Sequence, residues 1–193
     1  MNLSFVENLQ QALYEHGLLA IARIRSLRPT DSFYSFAFYT SGSFGYAFLT
    51  ASSYEGLDEA VETHSQNPNW HKHNIIELRK SLKWSPCDSP LHAIYDEHCD
   101  LDVVMNQVQD AFCDCNDDEV FEFVNGVKGA FLGAMRQLDA EGKFASNLER
   151  QNIVLNILQG DQSDEDRIRF ASHLNPPDVV NRFITELADI NYD

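Results

Sequence analysis

Hydrophobic and polar positions alternate with a period of two across residues 33–53, on either side of a short run of serine and glycine. This alternation, rich in aromatic residues, predicts a β-hairpin whose second strand begins at Phe44. Gly42 is expected to supply the positive φ of the turn. A phosphate-binding loop would require a helix after the glycines, and a strand-like segment follows instead. Three aromatic residues are predicted to share one face of the first strand: Tyr34, Phe36 and Phe38.

Elsewhere, apolar residues recur at steps of three and four, which predicts amphipathic helices. The first helix is expected to run through Gly17, because a glycine costs only about 1 kcal/mol in a helix interior, and to end before Pro29. Ser53 and Ser163 are expected to cap the helices that follow them. The predicted helices span residues 2–27, 54–64, 101–112, 117–140, 164–174 and 178–188.

A β-rich run at 151–158 predicts one further, buried strand. The pattern at 70–82 favours neither helix nor strand. The mixture predicts an α+β fold, a small, mostly antiparallel sheet with an early β-hairpin, packed against several helices. With 193 residues, of which 44% are hydrophobic, the chain is expected to form a single globular domain, 1–193.

Neither a membrane span nor a secretion signal is predicted. The chain has no apolar stretch of about eighteen residues, the length that a transmembrane helix needs. Its N-terminal residues lack a basic segment followed by an apolar run. We therefore expect a cytoplasmic location.

The formal net charge is −16, and it is unevenly distributed. Residues 96–141 carry twelve acids against Lys128 and Arg136, a net of −10, whereas residues 1–30 have a net of +1. Such a block repels nucleic acid and anionic membranes and attracts a basic protein. The alternative is an acidic surface that serves solubility alone. The carboxylates predicted to contact a partner are Asp114, Asp117, Asp118, Glu119 and Glu122.

Histidine residues support a second hypothesis, a small enzyme or metal-dependent protein. Two of them alternate in sequence, so on a strand both imidazoles would share a face and form half of a metal site. Two others follow later and would add ligands. These residues are His71 and His73, with His92 and His98.

Cysteines provide little further support for metal binding or catalysis. Cys113 and Cys115 flank Asp114 and would chelate a soft metal only with ligands from elsewhere. The chain has no Cys-x-x-Cys pair and no Gly-x-Ser-x-Gly nucleophile motif. The sequence therefore predicts no cofactor and no catalytic residue.

Five stretches have a characteristic order and spacing: FYSFAFYT at 33–40 with the following Gly45-Tyr46, LKWSP at 82–86, LDAEGKF at 138–144, RQNIVLNILQGD at 150–161 and LNP at 174–176. Together they resemble a family of small bacterial proteins described as a domain of unknown function, DUF4303. The resemblance covers most of the chain, and residues 87–127 match least. It implies no established activity. Related small acidic bacterial families often act as immunity proteins, which bind and neutralise a toxin, so the resemblance implies that role here.

Residues of these stretches also have structural interpretations. Gly142 is expected to end the long helix, and Asn175 to cap the helical turn ahead of Pro176. Arg150 is expected to pair with Asp139 or Asp161.

Overall fold

A three-stranded mixed sheet forms the centre of the protein. The computed structural model describes residues 3–67, 74–94 and 100–190. Strand β1 (Phe33–Thr40) lies in the middle, antiparallel to β2 (Ala47–Ser53) and parallel to β3 (Val154–Gln159). The α+β class and the early hairpin are confirmed. The sheet has one antiparallel and one parallel pair, because β3 returns to the free edge of β1 only after a long helical crossover.

Within the described residues, eight α-helices surround the sheet. Helix α1 spans Leu3–Leu27 and continues through Gly17 without a break, as predicted. None of the helices in this part of the chain has the length and apolar character needed to cross a membrane. The others are α2 (Tyr54–Ser65), α3 (Ile75–Lys83), α4 (Asp100–Asp114), α5 (Asp117–Ala140), α6 (Asn147–Arg150), α7 (Asp164–Leu174) and α8 (Pro177–Ala188), with a 3₁₀ turn at Pro86–Asp88.

Helices cover both faces of the sheet. On one face, α1, α4 and α5 pack over a cluster that includes Phe36 and Phe38. On the other, α2, α3 and α8 pack over a second cluster that includes Tyr34 and Val154. All the side chains of β1 are buried except that of Tyr39, which is half-buried. The central strand therefore lies between two hydrophobic layers.

The alternation of β1 is reversed at its first residues. The register against β2 shifts between Phe33 and Ser35, and Phe33 packs on Phe36 with ring centroids 5.1 Å apart. Tyr34 belongs to the opposite cluster and contacts Trp84 at 5.4 Å. The prediction that Tyr34 shares a face with the later aromatic residues is therefore wrong, because a bulge flips the side chains at that point.

The hairpin loop also differs from the prediction. Strand β2 begins at Ala47, so Phe44 lies in the loop. Phe44 has the positive φ, 56°, that the sequence pattern assigns to Gly42. The carbonyl of Ser41 accepts a hydrogen bond from the N–H of Phe44 at 3.1 Å, which closes the turn there. This conformation is strained for a non-glycine residue, and burial of the ring beside Phe131 offsets the strain.

Helix ends agree closely with the sequence. The hydroxyl of Ser53 accepts from the N–H of Gly56 at 3.0 Å, and that of Ser163 from the N–H of Asp166 at 3.2 Å. Gly142 has a φ of 68° just beyond α5, a conformation that glycine adopts without strain. All three predicted helix signals are confirmed.

Arg150 and Asn175 connect β3 to the helices beside it. The guanidinium of Arg150 pairs with Asp139, not with Asp161, through hydrogen bonds of 2.6 and 3.0 Å. Asn175 ends α7, as predicted. Its side chain also accepts from the N–H of Leu155 at 2.8 Å and donates to the carbonyl of the same residue at 2.7 Å. The amide of Asn175 therefore pairs with the outer edge of β3 as a further strand would.

Candidate functional site

The five carboxylates predicted to contact a partner lie together between α4 and α5. Asp114 is the last residue of α4. Asp117, Asp118 and Glu119 form the first turn of α5, and Glu122 follows about one turn later. All five residues are exposed. We call this set the acidic corner.

Asn116 is the N-cap of α5 and allows the chain to turn directly from α4 into α5. Its side-chain oxygen accepts from the N–H groups of Asp118 and Glu119, both at 3.1 Å. The carboxylate of Glu119 accepts in return from the backbone N–H of Asn116 at 3.5 Å and from its side-chain amide at 2.8 Å. This capping box starts α5 with only two residues between it and the end of α4. The first-turn acids also lie at the positive end of the helix dipole, so their clustering has a local structural cause.

A groove of about 510 Å³, lined by both apolar and acidic residues, lies at the acidic corner, and we call it the corner groove. Phe5 of α1 and Phe123 of α5 line it, with ring centroids 6.3 Å apart. None of the described residues that line the groove is basic. Its other lining residues are Ala111, Asp114, Cys115, Glu119 and Glu122.

Phe121 adds an exposed aromatic ring to the same part of α5. Its side chain is 76% exposed, whereas Phe123 is buried. Aromatic residues are enriched at protein interfaces, and charged residues commonly form the rim around them. In the sequence, the acidic corner was predicted from its charge alone. That prediction did not include Phe5, Phe121 and Phe123. The sequence does contain a signal for Phe121. This phenylalanine lies outside the apolar stripe of α5 that passes through Val124 and Val127, so it is expected to be exposed.

Of the four histidines of the proposed metal site, only His92 is among the described residues. Its ring packs edge-on against those of Tyr39 and Phe48, with ring centroids 5.1 and 4.9 Å apart. Burial lowers the pKa of His92, and the charge of Asp88 opposes that shift. Its buried Nδ1 has no hydrogen-bond partner among the described residues. The four-histidine site stays a prediction, because three of its members lie outside the described residues: His71, His73 and His98.

The described cysteines do not gather around a metal site. Cys113 is exposed, Cys115 is half-buried against the core, and Cys87 is exposed in the 3₁₀ turn. Cys99 lies outside the described residues. In residues 3–67, 74–94 and 100–190, no three His, Cys, Asp or Glu side chains approach closely enough to hold a metal ion. The further ligands that a Cys113–Cys115 chelate needs are therefore not found there.

Comparison with protein families identifies a match over most of the chain. The model of a family described as a domain of unknown function (DUF4303) matches residues 17–176. The match begins within α1 and ends just before α8, so it includes the whole sheet and the acidic corner but not Phe5. No curated protein and no solved structure matches the chain.

Proposed function

We propose, from the premise that this chain belongs to the DUF4303 family, that it is a non-enzymatic binding protein that holds a basic protein partner at the acidic corner. The family description names no activity, so the proposal rests on the residues of this chain. One observation carries it. Five exposed carboxylates lie in or beside a groove that two phenylalanines also line, close in sequence to an exposed phenylalanine, Phe121.

Charge and apolar area would have different tasks in such a complex. Exposed carboxylates steer an oppositely charged partner and raise the association rate. Apolar anchors that become buried at the centre of an interface mainly slow dissociation. The corner groove offers a place for an apolar side chain of the partner, and Phe121 offers a ring to the partner's surface. A basic protein with an apolar anchor residue fits both features.

A toxin is the concrete partner that we propose, with this chain as its immunity protein. An enzyme that cleaves nucleic acid or modifies nucleotides needs positive charge to hold phosphates. An acidic inhibitor can occupy that same surface and exclude the substrate. The charge of −10 over residues 96–141 suits this role, and the same charge disfavours direct binding to nucleic acid or to an anionic membrane.

Two variants with equal charge separate the corner from the net charge of the protein. In the corner variant, four acids become lysine: Asp114→Lys, Asp117→Lys, Asp118→Lys and Glu122→Lys. Glu119 stays, because its carboxylate completes the capping box. In the control variant, four exposed acids elsewhere become lysine: Glu62→Lys, Glu165→Lys, Asp178→Lys and Asp189→Lys. Each replacement changes the charge by two units, so both variants go from −16 to −8.

The control also reproduces the effect on helix ends. Glu165 and Asp178 lie in the first turns of α7 and α8, as Asp117 and Asp118 do in α5. Both variants therefore lose a similar amount of helix-dipole stabilisation. Any difference between them in partner binding then comes from the position of the charges.

The measurement is the association rate with the purified partner, which is first captured from the source organism on the wild-type protein. We expect the wild-type rate to fall steeply with salt, because the Debye length shrinks from about 10 Å at 0.1 M to about 3 Å at 1 M. The corner variant should associate at least about tenfold more slowly at low salt. The control variant should stay close to the wild type. Phe121→Ala should leave association unchanged and speed dissociation.

Three results would contradict the proposal. The first is an association rate that does not depend on salt. The second is equal slowing in the corner and control variants, which would assign the effect to net charge. The third is the failure of the wild type to enrich any basic protein over the corner variant. Each would leave the acidic corner as a solubilising surface.

A further inference from the structure

Polar side chains occupy the middle of one sheet face, where a hydrophobic layer would be expected. Ser35, Thr50, Ser52 and Asn156 come from all three strands and are all buried. The sheet register places them together, since Ser35 pairs with Ser52 across β1 and β2. They line a small space of about 10 Å³ beside Trp84. We call this space the polar chamber.

Two buried groups in the lining of the chamber have no hydrogen-bond partner among the described residues. They are the hydroxyl of Thr50 and the indole N–H of Trp84. Thr50 is 2% exposed and Trp84 is 8% exposed, so neither group can turn to bulk solvent. Buried polar groups in native proteins are almost always paired. Both groups therefore lack an acceptor, which an atom entering the chamber could supply.

Two basic side chains contribute to the lining of the chamber. Lys83 and Arg167 line it, and no aspartate or glutamate is among the described residues that do. Their side chains are only 18% and 15% exposed. Each has an acid beside it outside the chamber, Glu186 at 2.7 Å and Asp164 at 3.3 Å. The lining therefore supplies two unpaired donors and two cations whose charge is partly balanced by these acids.

The chamber lies beside a surface cleft of about 350 Å³. Trp84, Pro86, Leu158 and Arg167 line both spaces, so the chamber adjoins the cleft. Asp88 and Asp161 line the cleft but not the chamber, so of the two spaces only the chamber has no acid among its described lining residues. The cleft lies where β1 and β3, the parallel pair, end. Ligands of α/β proteins commonly bind beyond the carboxyl ends of parallel strands. Sequence alone did not identify this cleft.

We propose that the cleft is a binding site for a small molecule with a carboxylate, whose terminal oxygen enters the polar chamber. The oxygen accepts from Thr50 and Trp84, and the positive charges of Lys83 and Arg167 favour an anionic group. A space of about 10 Å³ admits about one oxygen atom, which a planar carboxylate can present more easily than a tetrahedral phosphate. A single water would satisfy the same donors, so the test must distinguish a bound water from a bound carboxylate.

The indole proton of Trp84 reports directly on this site. The chain has two tryptophans, so its NMR spectrum should have two indole N–H signals, and the Trp70→Phe variant assigns the one from Trp84. The full-length protein is titrated with acetate, with acetamide and with inorganic phosphate, at pH 7 and at a constant ionic strength set by sodium chloride. We expect acetate to move the Trp84 signal saturably. Acetamide should bind at least about tenfold more weakly, because it carries no charge, and phosphate should leave the signal unchanged.

Thr50→Val is the matched variant, because it removes only the hydroxyl and keeps the shape of the side chain. Since the hydroxyl is unpaired, the variant should fold at least as stably as the wild type. It should bind acetate about tenfold more weakly, which is the loss expected for one hydrogen bond to a charged group. Thr63→Val, on the exposed part of α2, should bind acetate as the wild type does.

Each remaining outcome would overturn the proposal. If acetate leaves the Trp84 signal unchanged while a nuclear Overhauser effect connects that proton to a bound water, the chamber holds a structural water only. If acetate and acetamide bind equally, the cations do not select the ligand. If phosphate binds as acetate does, the size of the chamber does not select it. If Thr50→Val and Thr63→Val both bind as the wild type does, acetate binds elsewhere.

Discussion

The backbone N–H of Leu49 on β2 donates a hydrogen bond to Nε2 of His16 on α1, at 3.2 Å. Strand β2 is an edge strand, so its outward N–H groups need partners from outside the sheet. The imidazole is 3% exposed and must be neutral at Nε2 to accept this bond. Burial lowers the pKa of His16 to about 4, and the charge of Asp102 opposes that shift.

His16 should make the fold sensitive to acid. The unfolded chain takes up the proton near pH 6.5 and the folded chain only near pH 4. The contribution of neutral His16 is therefore complete above pH 6.5 and is lost as the pH falls from 6.5 to 4. We expect this loss to reach about 3 kcal/mol. Urea unfolding at a series of pH values between 4 and 7.5 measures it.

The variant His16→Gln separates this effect from the titration of carboxylates. Its amide oxygen can accept the bond from Leu49, but it does not titrate. We expect the variant to lose less stability than the wild type between pH 6.5 and pH 4.5. Parallel pH profiles for the two proteins would show that His16 does not titrate differently in the folded and unfolded states.

Replacement by alanine should have opposite effects on stability at two glycines. A Cβ at Gly17 would lie 2.6 Å from Cδ1 of Leu138 and 3.4 Å from the ring of Phe38, whereas Gly129 has open space around it. Gly129→Ala should stabilise the protein by up to about 1 kcal/mol through helix propensity. Gly17→Ala should destabilise it by about 1–3 kcal/mol, because the buried side chains around it must shift. Thermal unfolding measures whether each variant is more or less stable than the wild type. If Gly17→Ala stabilised the protein, α1 and α5 would pack less closely at Gly17 than described here.

Arg150 should be far more important for stability than an exposed arginine. Besides its two bonds to Asp139, it donates to the carbonyls of Ile153 and Leu174, so Arg150→Met leaves several acceptors without a donor. We expect a loss of about 2–4 kcal/mol. Arg169, which is 57% exposed in an ion pair on α7, provides the control. Arg169→Met should cost less than about 1 kcal/mol, and equal costs in denaturant melts would refute the role of Arg150.

Two phenylalanines, one buried and one exposed, should also differ in how much they contribute to stability. The side chain of Phe36, on β1, is fully buried beneath the helices that cover the sheet. The variant Phe36→Ala should therefore be less stable by about 3–5 kcal/mol. Phe121 is 76% exposed, and Phe121→Ala should change stability by no more than about 0.5 kcal/mol. Denaturant unfolding checks both values. A loss below about 1 kcal/mol for Phe36→Ala would show that the hairpin is not packed as described.

Cys113 and Cys115 should be dispensable. One is exposed and the other half-buried, so replacing both with serine should cost less than about 1 kcal/mol. The partner should bind with unchanged affinity. If the double variant melts much earlier, and a chelator lowers the melting temperature of the wild type equally, the two thiols bind a metal after all.

The acidic corner was predictable because its residues are close together in the chain. Asn116 and Glu119 make the capping box within one turn, and Ser53 caps α2 in the same local way. Interactions of this range depend on a few consecutive residues, so a sequence pattern contains them completely. Gly142 ends α5 for the same reason.

The apolar half of that site depended on tertiary packing. Phe5 reaches the corner only because α1 packs along α5, and in the sequence it looks like any core residue of an amphipathic helix. The positive φ in the hairpin is a similar case. Gly42 would adopt it at least cost, but the loop places Phe44 there because its ring is buried beside Phe131.

Sequence alone determined where most helices begin and end, that an aromatic hairpin forms early, and that negative charge collects near α5. Only the tertiary structure decided that β3 runs parallel to β1, and only this pairing places Asn156 and Thr50 on either side of Ala37. Each of those residues looks unremarkable on its own strand. The free energy that holds them together comes from burying both faces of the sheet at once. That term depends on contacts between distant segments, which no local pattern in the chain records.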